Sequence, residues 1–399
     1  MSKLYCRVYQ KVMYVGMFLM PWRQPKIIEG TNSMQELCKV FKEKNIKKVL
    51  VVTDNMLFER GLLDNMFNTF KQNEIDFAVY NKTIPNPTID NIEEAKNLYL
   101  QENCEAIVAF GGGSPIDCAK IVGARIVKPK KPVRKMRGLL KIRKKLPLLV
   151  AVPTTSGTGS ETTVAAVITD AKTHEKYPIN DFSLIPHYAV LDPSLTVSLP
   201  KHITSTTGID ALTHAVEAFI GKSNTKQTKK DALKATKLIF ENLLLAYNEP
   251  ENLEARQKMQ EAAYLAGAAF TRAYVGNIHA IAHSLGGFYS TPHGLANAVI
   301  LPYVLEYYGK TVYKKLAKMA RYINLCTENE SDETASKKFI EAIKDLNNQL
   351  NIPTKIEGIK DEDIPAMIKN AKKEANPLYP VPMIFKDKDF ENIYNLIKA

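Results

Sequence analysis

The sequence predicts an α/β nucleotide-binding domain followed by an all-helical domain that binds a metal ion. Apolar strand patterns stop at about residue 196, a glycine-rich turn joins one strand to a helix, and the helical half carries a cluster of histidines. Strands that alternate with helices indicate a parallel sheet, and the helices that follow indicate a second domain. We therefore place the two domains at residues 1–195 and 196–399.

Composition limits the class of protein. The chain of 399 residues is 45% apolar and 24% charged, which is ordinary for a soluble globular protein of two domains. Its five scattered cysteines indicate free thiols and a cytoplasmic location. The apolar run 12–22 is too short to span a bilayer. We interpret it as a buried strand, with an export signal as the alternative because Lys3, Arg7 and Lys11 come before or at its start.

The basic charge is concentrated in one stretch. Residues 128–145 hold ten basic residues and no acidic one, so only +2 of the net charge of +12 belongs to the other 381 residues. A charge confined in this way does not make a broad binding face, and we expect neither nucleic acid nor membrane as a partner. We interpret the stretch as an exposed, solvated loop or a short helix pair.

The elements follow in order along the chain. The first half begins with strand pieces and a helix capped by Ser33. Val-rich runs predict buried strands at 47–54, 76–82, 106–110, 146–152 and 189–193, with a hairpin at 164–180 and helices at 33–44, 56–72, 90–101 and after residue 113. Helical periodicity then covers 202–220, 227–247, 252–273, 276–286, 295–326, 333–349, 361–373 and 386–398.

Two loops of the first half fit a nucleotide. Three glycines, 111–113, lie between a strand and a helix that opens with Ser114 and Pro115, so free amides and the helix dipole can cradle a diphosphate. The loop 153–161 adds hydroxyl groups and more glycines. Neither loop carries the G-x-G-x-x-G or GK[ST] fingerprint, and ordinary connecting turns are the alternative for both.

The second half offers metal ligands. Asp210 and His214 lie four residues apart on a predicted helix and share one face, as do His279 and His283. A carboxylate with several imidazoles suits Fe(II), Zn(II), Co(II) or Ni(II). Spacing alone leaves His279 and His283 as competing ligands.

A third histidine follows close behind. Gly286 and Gly287 are expected to end the preceding helix, and His293 follows Pro292 in a turn. Because the nucleotide loops lie in one domain and these side chains in the other, we expect the two sets to meet in a cleft.

These motifs resemble those of the iron-containing (group III) alcohol dehydrogenases, a family that includes lactaldehyde reductases and butanol dehydrogenases. The resemblance runs from about Pro25 to Ile397, and it rests on the motifs FGGGSPIDCAK, PTTSGTGSE, TGIDALTHAVEAFI and HAIAHSLGGFYSTPHGLANA. It implies a Rossmann-like N-terminal domain and a helical C-terminal domain with the metal between them.

The resemblance also implies residue roles. The metal ligands would be Asp210, His214, His279 and His293, and His283 would be a proton relay near the nicotinamide. The residues implied at the cofactor are Gly112, Gly113, Ser114 and Asp117 at the diphosphate, Thr154, Thr155 and Thr158 along it, and Lys176 near it. The chain departs from the family at Arg272 and in the tail 376–382, which affects substrate preference.

The implied activity is hydride transfer between a nicotinamide cofactor and a primary alcohol or aldehyde. Fe(II) would be the metal, with Zn(II) as the alternative, and a homodimer or larger homo-oligomer would be the assembly. A metal-dependent lyase or hydrolase on a related scaffold is the alternative function, and a protein whose basic stretch binds an acidic partner is a third. Asp54 ends a strand where a carboxylate would favour NAD over NADP, although it can also simply cap the next helix.

Overall fold

The computed structural model describes residues 2–18, 20, 22–172 and 175–399. The chain divides into two compact units, one of residues 22–198 and one of residues 199–399 together with 1–21. The division at 198/199 lies three residues from the one expected from the sequence. The first 21 residues differ from that expectation, because they belong with the helical unit.

The first unit alternates strands and helices. Its strands are β1 (Lys26–Glu29), β2 (Lys48–Val52), β3 (Asp76–Tyr80), β4 (Ala106–Gly111), β5 (Gly138–Leu139), β6 (Leu148–Pro153), β7 (Ala165–Asp170), β8 (Glu175–Asn180) and β9 (Tyr188–Leu191). Its helices are α2 (Ser33–Glu43), α3 (Asn55–Glu59), α4 (Asp64–Gln72), α5 (Ile89–Gln101) and α6 (Gly113–Val127).

The main sheet of this unit is parallel and buried on both faces. In the described residues its strand order is β1-β9-β6-β4-β2-β3, and every neighbouring pair is parallel. Alternate residues face opposite sides, so Leu50 and Ile107 share a core with α5 and α6, while Val51 and Val108 share one with α2 and α4. The turns after β2, β4 and β6 therefore lie together at the carboxyl edge, where ligands of such sheets bind.

A smaller sheet accompanies the predicted hairpin. Strands β7 and β8 are antiparallel as expected, and Thr173 and His174 between them lie outside the described residues. The basic stretch 128–145 was expected to be an exposed, solvated loop or a short helix pair. It instead includes a 3-10 turn at Val133–Met136 and the strand β5, which pairs with β8. Its charged side chains are mostly exposed, but Met136 and Ile142 are fully buried and anchor it.

The second unit is helical. It consists of α1 (Lys3–Phe18), α7 (Lys201–Ile220), α8 (Lys226–Asn248), α9 (Leu253–Ala273), α10 (Asn277–Tyr289), α11 (His293–Tyr308), α12 (Tyr313–Tyr322), α13 (Asp332–Gln349), α14 (Ile364–Ala375) and α15 (Asp387–Ile397). Most of these bounds agree with the periodicity to within three residues. The segment 295–326 is an exception, since a 3-10 turn at Gly309–Thr311 divides it. Across the described helices, none is both long and apolar enough to cross a membrane.

The prediction of a strand near the N-terminus is wrong, because this segment forms α1. Valine favours strands, but Val8, Val12 and Val15 recur at helical spacing and are exposed, while Cys6 and Gln10 on the other face are buried. Leu19 and Pro21, part of the run expected to be a strand, lie outside the described residues.

The expected end of the histidine helix is also wrong. Helix α10 continues through Gly286 and Gly287 and ends at Tyr289, followed by Ser290 in the left-handed conformation with φ 54°. His293 is not in a turn, since Pro292 caps α11 and His293 is its first residue. A glycine inside a helix costs only about 1 kcal/mol, which the packing of the apolar residues of α10 offsets.

Helix α7 is largely buried, and other helices of the unit pack around it. One of its glycines allows α8 to approach closely. A Cβ atom on Gly208 would overlap the methyl groups of the fully buried Leu243 of α8. Gly287 differs, because the space around its missing Cβ is open and the residue is exposed.

We therefore expect opposite effects from two glycine-to-alanine changes. Gly208→Ala should destabilise the protein by about 1–3 kcal/mol, because Leu243 cannot move without disturbing the core. Gly287→Ala should stabilise it by about 0.5–1 kcal/mol, because alanine loses less backbone entropy in a helix. Thermal unfolding midpoints measure both effects, and equal shifts of the same sign would contradict the packing described here.

Candidate metal centre and nucleotide loops

Helix α7 supplies two polar groups to a buried site. Asp210 and His214 are only 2% and 4% exposed. Their separation of four residues places both on one face, as expected. The ring of His214 is held between the rings of Phe270 and His279, with centroids 4.1 and 4.5 Å away.

Helices α10 and α11 supply the other two. His279 lies in the first turn of α10 and is 2% exposed, whereas His293 begins α11 and its side chain is 37% exposed. Only three residues separate the two helices, and the left-handed Ser290 turns the chain so that both rings reach the same place.

The four side chains fit one metal ion. One ligand atom from each of Asp210, His214, His279 and His293 lies within 4.8 Å of every other. Oδ1 of Asp210 is 3.5 Å from Nε2 of His293 and 3.9 Å from Nε2 of His279. Two ligands about 2.1 Å from a tetrahedral ion would be about 3.4 Å apart, and the separation of Asp210 from His293 is close to this value. The structure therefore assembles the set implied by the family resemblance and leaves His283 outside it.

A buried carboxylate orients His279. Glu217 accepts a hydrogen bond from Nδ1 of His279 at 2.6 Å, and it also accepts the backbone N–H groups of Gly276 and Ile278 at 2.8 and 2.9 Å. With Nδ1 as the donor, the lone pair of Nε2 faces the other ligands. Burial raises the pKa of Glu217 to about 7 and that of Asp210 to about 7, so both carboxylates are groups that a nearby cation would stabilise.

An amide completes the buried surroundings. Nδ2 of Asn297 donates to Oδ1 of Asp210 at 2.7 Å and lies 3.2 and 3.1 Å from Nε2 of His279 and His293. Asn297 is fully buried, one turn after His293 on α11. Neither Asn297 nor Glu217 was predicted from the sequence. Their spacing, four residues after His293 and three after His214, was the available signal.

His283 belongs to a second hydrogen-bonded group beside the ligands. Its ring stacks on His293 with centroids 5.0 Å apart, and its Nδ1 lies 2.6 Å from Oε1 of Glu374 in the last turn of α14. The hydroxyl of Tyr379 donates to the same oxygen at 2.7 Å. Burial raises the pKa of Glu374, but the charge and hydrogen bond of His283 and the hydroxyl of Tyr379 outweigh it and the pKa is lowered overall. Glu374 was not foreseen, because nothing local in its sequence points to His283.

The glycine turn of the α/β unit has the shape of a phosphate cradle. Gly111 has φ +144°, and Gly112 caps α6 with its backbone extended. A Cβ on Gly113 would lie 3.3 Å from the side chain of Thr158, and one on Gly112 would lie 3.6 Å from that of Thr155. The loop 154–158 therefore packs closely against the glycine turn, most closely at Gly113. Thr155 Oγ1 is buried and makes no hydrogen bond to any described residue, as expected where a ligand supplies the partner.

Other predicted cofactor residues already have partners in this unit. Ser114 Oγ accepts the backbone N–H of Asn86, and Lys176 donates to the side chain of Asn86 at 2.6 Å. Thr154 is 2% exposed, and its N–H donates to the carbonyl of Gly111.

Asp117 and Asp54 also have structural roles here. The two oxygens of Asp117 accept Ser160 Oγ and the N–H of Val167, so it ties α6 to the second loop. Asp54 accepts the N–H of Leu57 at 2.9 Å and caps α3, the role given as the alternative.

A buried lysine, which was not foreseen from the sequence, also connects α6 to the loop 153–161. Lys120 is fully buried, three residues after Asp117, and donates to Ser160, Thr163 and the carbonyl of Ala165. Burial lowers the pKa of Lys120 to about 8. The second loop is thus fixed to α6 before any cofactor is bound.

Comparison with known proteins agrees with this site. Residues 24–193 match the family model "Iron-containing alcohol dehydrogenase", and residues 204–397 match "Fe-containing alcohol dehydrogenase family, C-terminal". The chain belongs to the iron-containing alcohol dehydrogenase family. It is therefore a metal-dependent oxidoreductase, and the predicted two-domain fold class is confirmed.

Relatives within the family differ in substrate and cofactor. The chain is 35% identical to the NAD-dependent methanol dehydrogenase of Bacillus methanolicus, over 87% of this chain and 91% of the relative. It is 34% identical to the NADPH-dependent butanol dehydrogenase of Clostridium saccharobutylicum, over 84% and 86%. The solved structure of a 1,3-propanediol oxidoreductase superposes with a TM-score of 0.90 at 34% identity, over 94% of this chain and 99% of that one. These relatives are dehydrogenases, which favours the oxidoreductase over the lyase or hydrolase.

The orientation of His279 by Glu217 leads to a prediction. Glu217→Gln should weaken binding of Zn(II) about 10- to 100-fold, because an amide NH₂ would face one of the three N–H groups that the carboxylate now accepts. Isothermal titration of the metal-free protein measures the affinity. Glu374→Gln is the matched control, since that carboxylate contacts His283 and no ligand, and it should leave the affinity unchanged. Equal losses in both variants would contradict the role given to Glu217.

Proposed function

We propose that this protein is an NAD-dependent oxidoreductase of primary alcohols and aldehydes that uses Fe(II), with Zn(II) as the alternative metal. The observation that carries the proposal is the buried set of Asp210, His214, His279 and His293, whose ligand atoms lie within 4.8 Å of one another. One carboxylate and three imidazoles suit both metals, and the affinity order alone favours zinc. The family to which the chain belongs favours iron.

A metal ion and a nicotinamide would supply the reactive groups, and residues of the chain would hold and orient them. A divalent ion supplies Lewis acidity toward the oxygen of the substrate, and a nicotinamide supplies the hydride acceptor or donor. Asp210 and the three imidazoles hold the ion, and Glu217 keeps His279 in the tautomer that can bind it. The bonds of Glu217 to Gly276, Ile278 and His279 fix the orientation of His279.

His283 is our proposed proton relay. Reduction of an aldehyde consumes one hydride and one proton, and oxidation of the alcohol releases both. Because Nδ1 of His283 is held by Glu374, its other ring nitrogen is the one left to exchange that proton. The ring lies beside His293, which we propose as a metal ligand, so it is close to the oxygen that gains or loses the proton.

We propose that the nucleotide lies along the glycine turn and the loop 154–158. The amides of Gly112, Gly113 and Ser114 at the start of α6 suit a diphosphate. The buried Thr155 hydroxyl supports a contact along the cofactor. Asp117 and Lys120 support the cradle from behind, because their bonds hold the two loops together.

Further proposals concern the setting of the enzyme. The five cysteines are free, which supports a reducing, cytoplasmic location. A short primary alcohol or diol is the proposed substrate, since the relatives are named for methanol, butanol and propanediol. A homodimer or larger homo-oligomer is the proposed assembly.

The test of the function compares three histidine variants. Wild-type protein loaded with Fe(II) or Zn(II) should reduce a panel of short aldehydes with NADH. His279→Ala and His293→Ala should lose both metal and turnover, whereas His283→Ala should keep the metal and lose rate by about 10²–10⁴-fold. Metal analysis and NADH absorbance measure the two properties. An empty site in His283→Ala with a filled one in His279→Ala would reverse the assignment of ligands.

Cofactor choice gives a separate prediction. A carboxylate at Asp54 would repel the 2′-phosphate of NADP, so we expect NAD(H) to be preferred at least about tenfold in kcat/KM, or roughly 1.4 kcal/mol. Asp54→Asn removes the charge but keeps a good cap for α3, so it should narrow the preference mainly by improving NADPH. Asp54→Gly should act in the same direction, with a loss of stability. A wild-type enzyme that already prefers NADPH would contradict the prediction.

A further inference from the structure

Helix α1 is an addition to the residues that define the family. The family models match residues 24–193 and 204–397, so α1 at Lys3–Phe18 lies before the first matched residue. It nevertheless belongs to the helical unit that holds the proposed metal ligands. Its outer face is exposed, and Val8 and Val12 are 54% and 64% accessible.

The inner face of α1 binds the backbone of one segment, residues 377–384. Gln10 is 5% exposed, and its amide donates to the carbonyls of Pro377 and Tyr379 at 3.1 and 2.7 Å. Arg7 donates to the carbonyls of Val381 and Pro382 at 2.8 and 2.9 Å. The two side chains thus engage four carbonyls in six residues.

Apolar contact joins the same two elements. Cys6 is fully buried and forms a small core with Val381 and Ile384, against which Tyr379 packs. This core is separate from the large core of the helical bundle.

Segment 377–384 depends on these contacts because of its sequence. Three of its eight residues, Pro377, Pro380 and Pro382, have no backbone N–H, so the segment cannot form a helix or a regular strand. Outside α1, the N–H of Tyr379 donates to the carbonyl of Ala375 and the N–H of Val381 to the carbonyl of Tyr379, both at 2.8 Å. The carbonyls of Pro380 and Met383 accept from Lys222 and Asn277 at 2.7 and 3.1 Å. Buried carbonyls need partners, and α1 provides most of them here.

The segment carries a residue of the proposed proton relay. The carbonyl of Tyr379 is one of the two that Gln10 holds, and the hydroxyl of Tyr379 donates to Glu374 at 2.7 Å. Glu374 in turn holds Nδ1 of His283 at 2.6 Å. Hydrogen bonds therefore link Gln10 to the backbone of Tyr379, the side chain of Tyr379 to Glu374, and Glu374 to His283.

We infer that α1 is a brace for the active site and that Gln10 and Arg7 are positioning residues for His283, acting through Tyr379 and Glu374. The inference rests on the proposed function of His283 as a proton relay. If the backbone of Tyr379 shifts, its hydroxyl leaves Glu374, and the carboxylate then holds the imidazole less firmly. The rate of proton exchange falls, whereas the metal ligands on α7, α10 and α11 are unaffected.

The test is a double-mutant cycle between the brace and the relay. Gln10→Met keeps the bulk of the side chain and removes both donated hydrogen bonds. It should lower kcat for aldehyde reduction about five- to tenfold, with metal content and the KM for NADH within about twofold of wild type. In a Tyr379→Phe background the same change should cost less than about twofold, because the hydroxyl it positions is gone. Lys11→Met, on the exposed side of α1, is the matched control and should leave kcat unchanged.

A spectroscopic readout separates failure of the brace from failure of the proposed function. In protein labelled with ¹⁵N-histidine and loaded with Zn(II), the signal of His283 is identified by its absence from His283→Ala. Wild type and Lys11→Met should show one Nδ1-protonated tautomer, and Gln10→Met should show a mixture. Absence of NADH-dependent turnover in the wild type would overturn the proposed function. An unchanged His283 signal and kcat in Gln10→Met, or equal losses with and without the Tyr379 hydroxyl, would overturn the brace.

Discussion

In the helical unit, the start of α10 and the orientation of His279 both depend on three hydrogen bonds that the buried carboxylate of Glu217 accepts. Two come from the N–H groups of Gly276 and Ile278, which are donors at the start of α10 with no partner inside that helix. The third comes from His279. One side chain of α7 therefore caps a neighbouring helix and orients its histidine at once. Gly276 is required at this point, because a Cβ there would lie 2.6 Å from Oε1 of Glu217.

The same logic of buried, mutually satisfied groups governs the α/β unit. Lys120 and Asp117 on α6 bond to Ser160, Thr163 and the backbone of β7, so the two loops at the carboxyl edge of the sheet share one hydrogen-bonded support. Charged groups are costly to bury unless they are paired, and here each has several partners. Each unit thus places its polar residues where a ligand is expected and an apolar core behind them.

Local sequence was sufficient to predict what depends on local physics. The periodicity of α7 placed Asp210 and His214 on one face, and the strand, glycine turn and helix around Gly112 were foreseen for the same reason. Spacing could not choose between His279 and His283, because the two residues lie four apart and therefore share one face of the helix. The choice depends on Glu217 and Glu374, which lie 62 and 91 residues away from these histidines along the chain. The prediction of a strand near the N-terminus failed for a similar reason. The valines of this segment are exposed on a helix, and the distant segment 377–384 fixes the position of that helix.

The four candidate ligands are unevenly exposed. Asp210, His214 and His279 are enclosed by helices, with at most 4% of each residue exposed, while more than a third of the His293 side chain is accessible. The same residue begins α11, directly after a connection of three residues. An ion held by these four side chains would therefore be buried on the sides of Asp210, His214 and His279 and accessible on the side of His293.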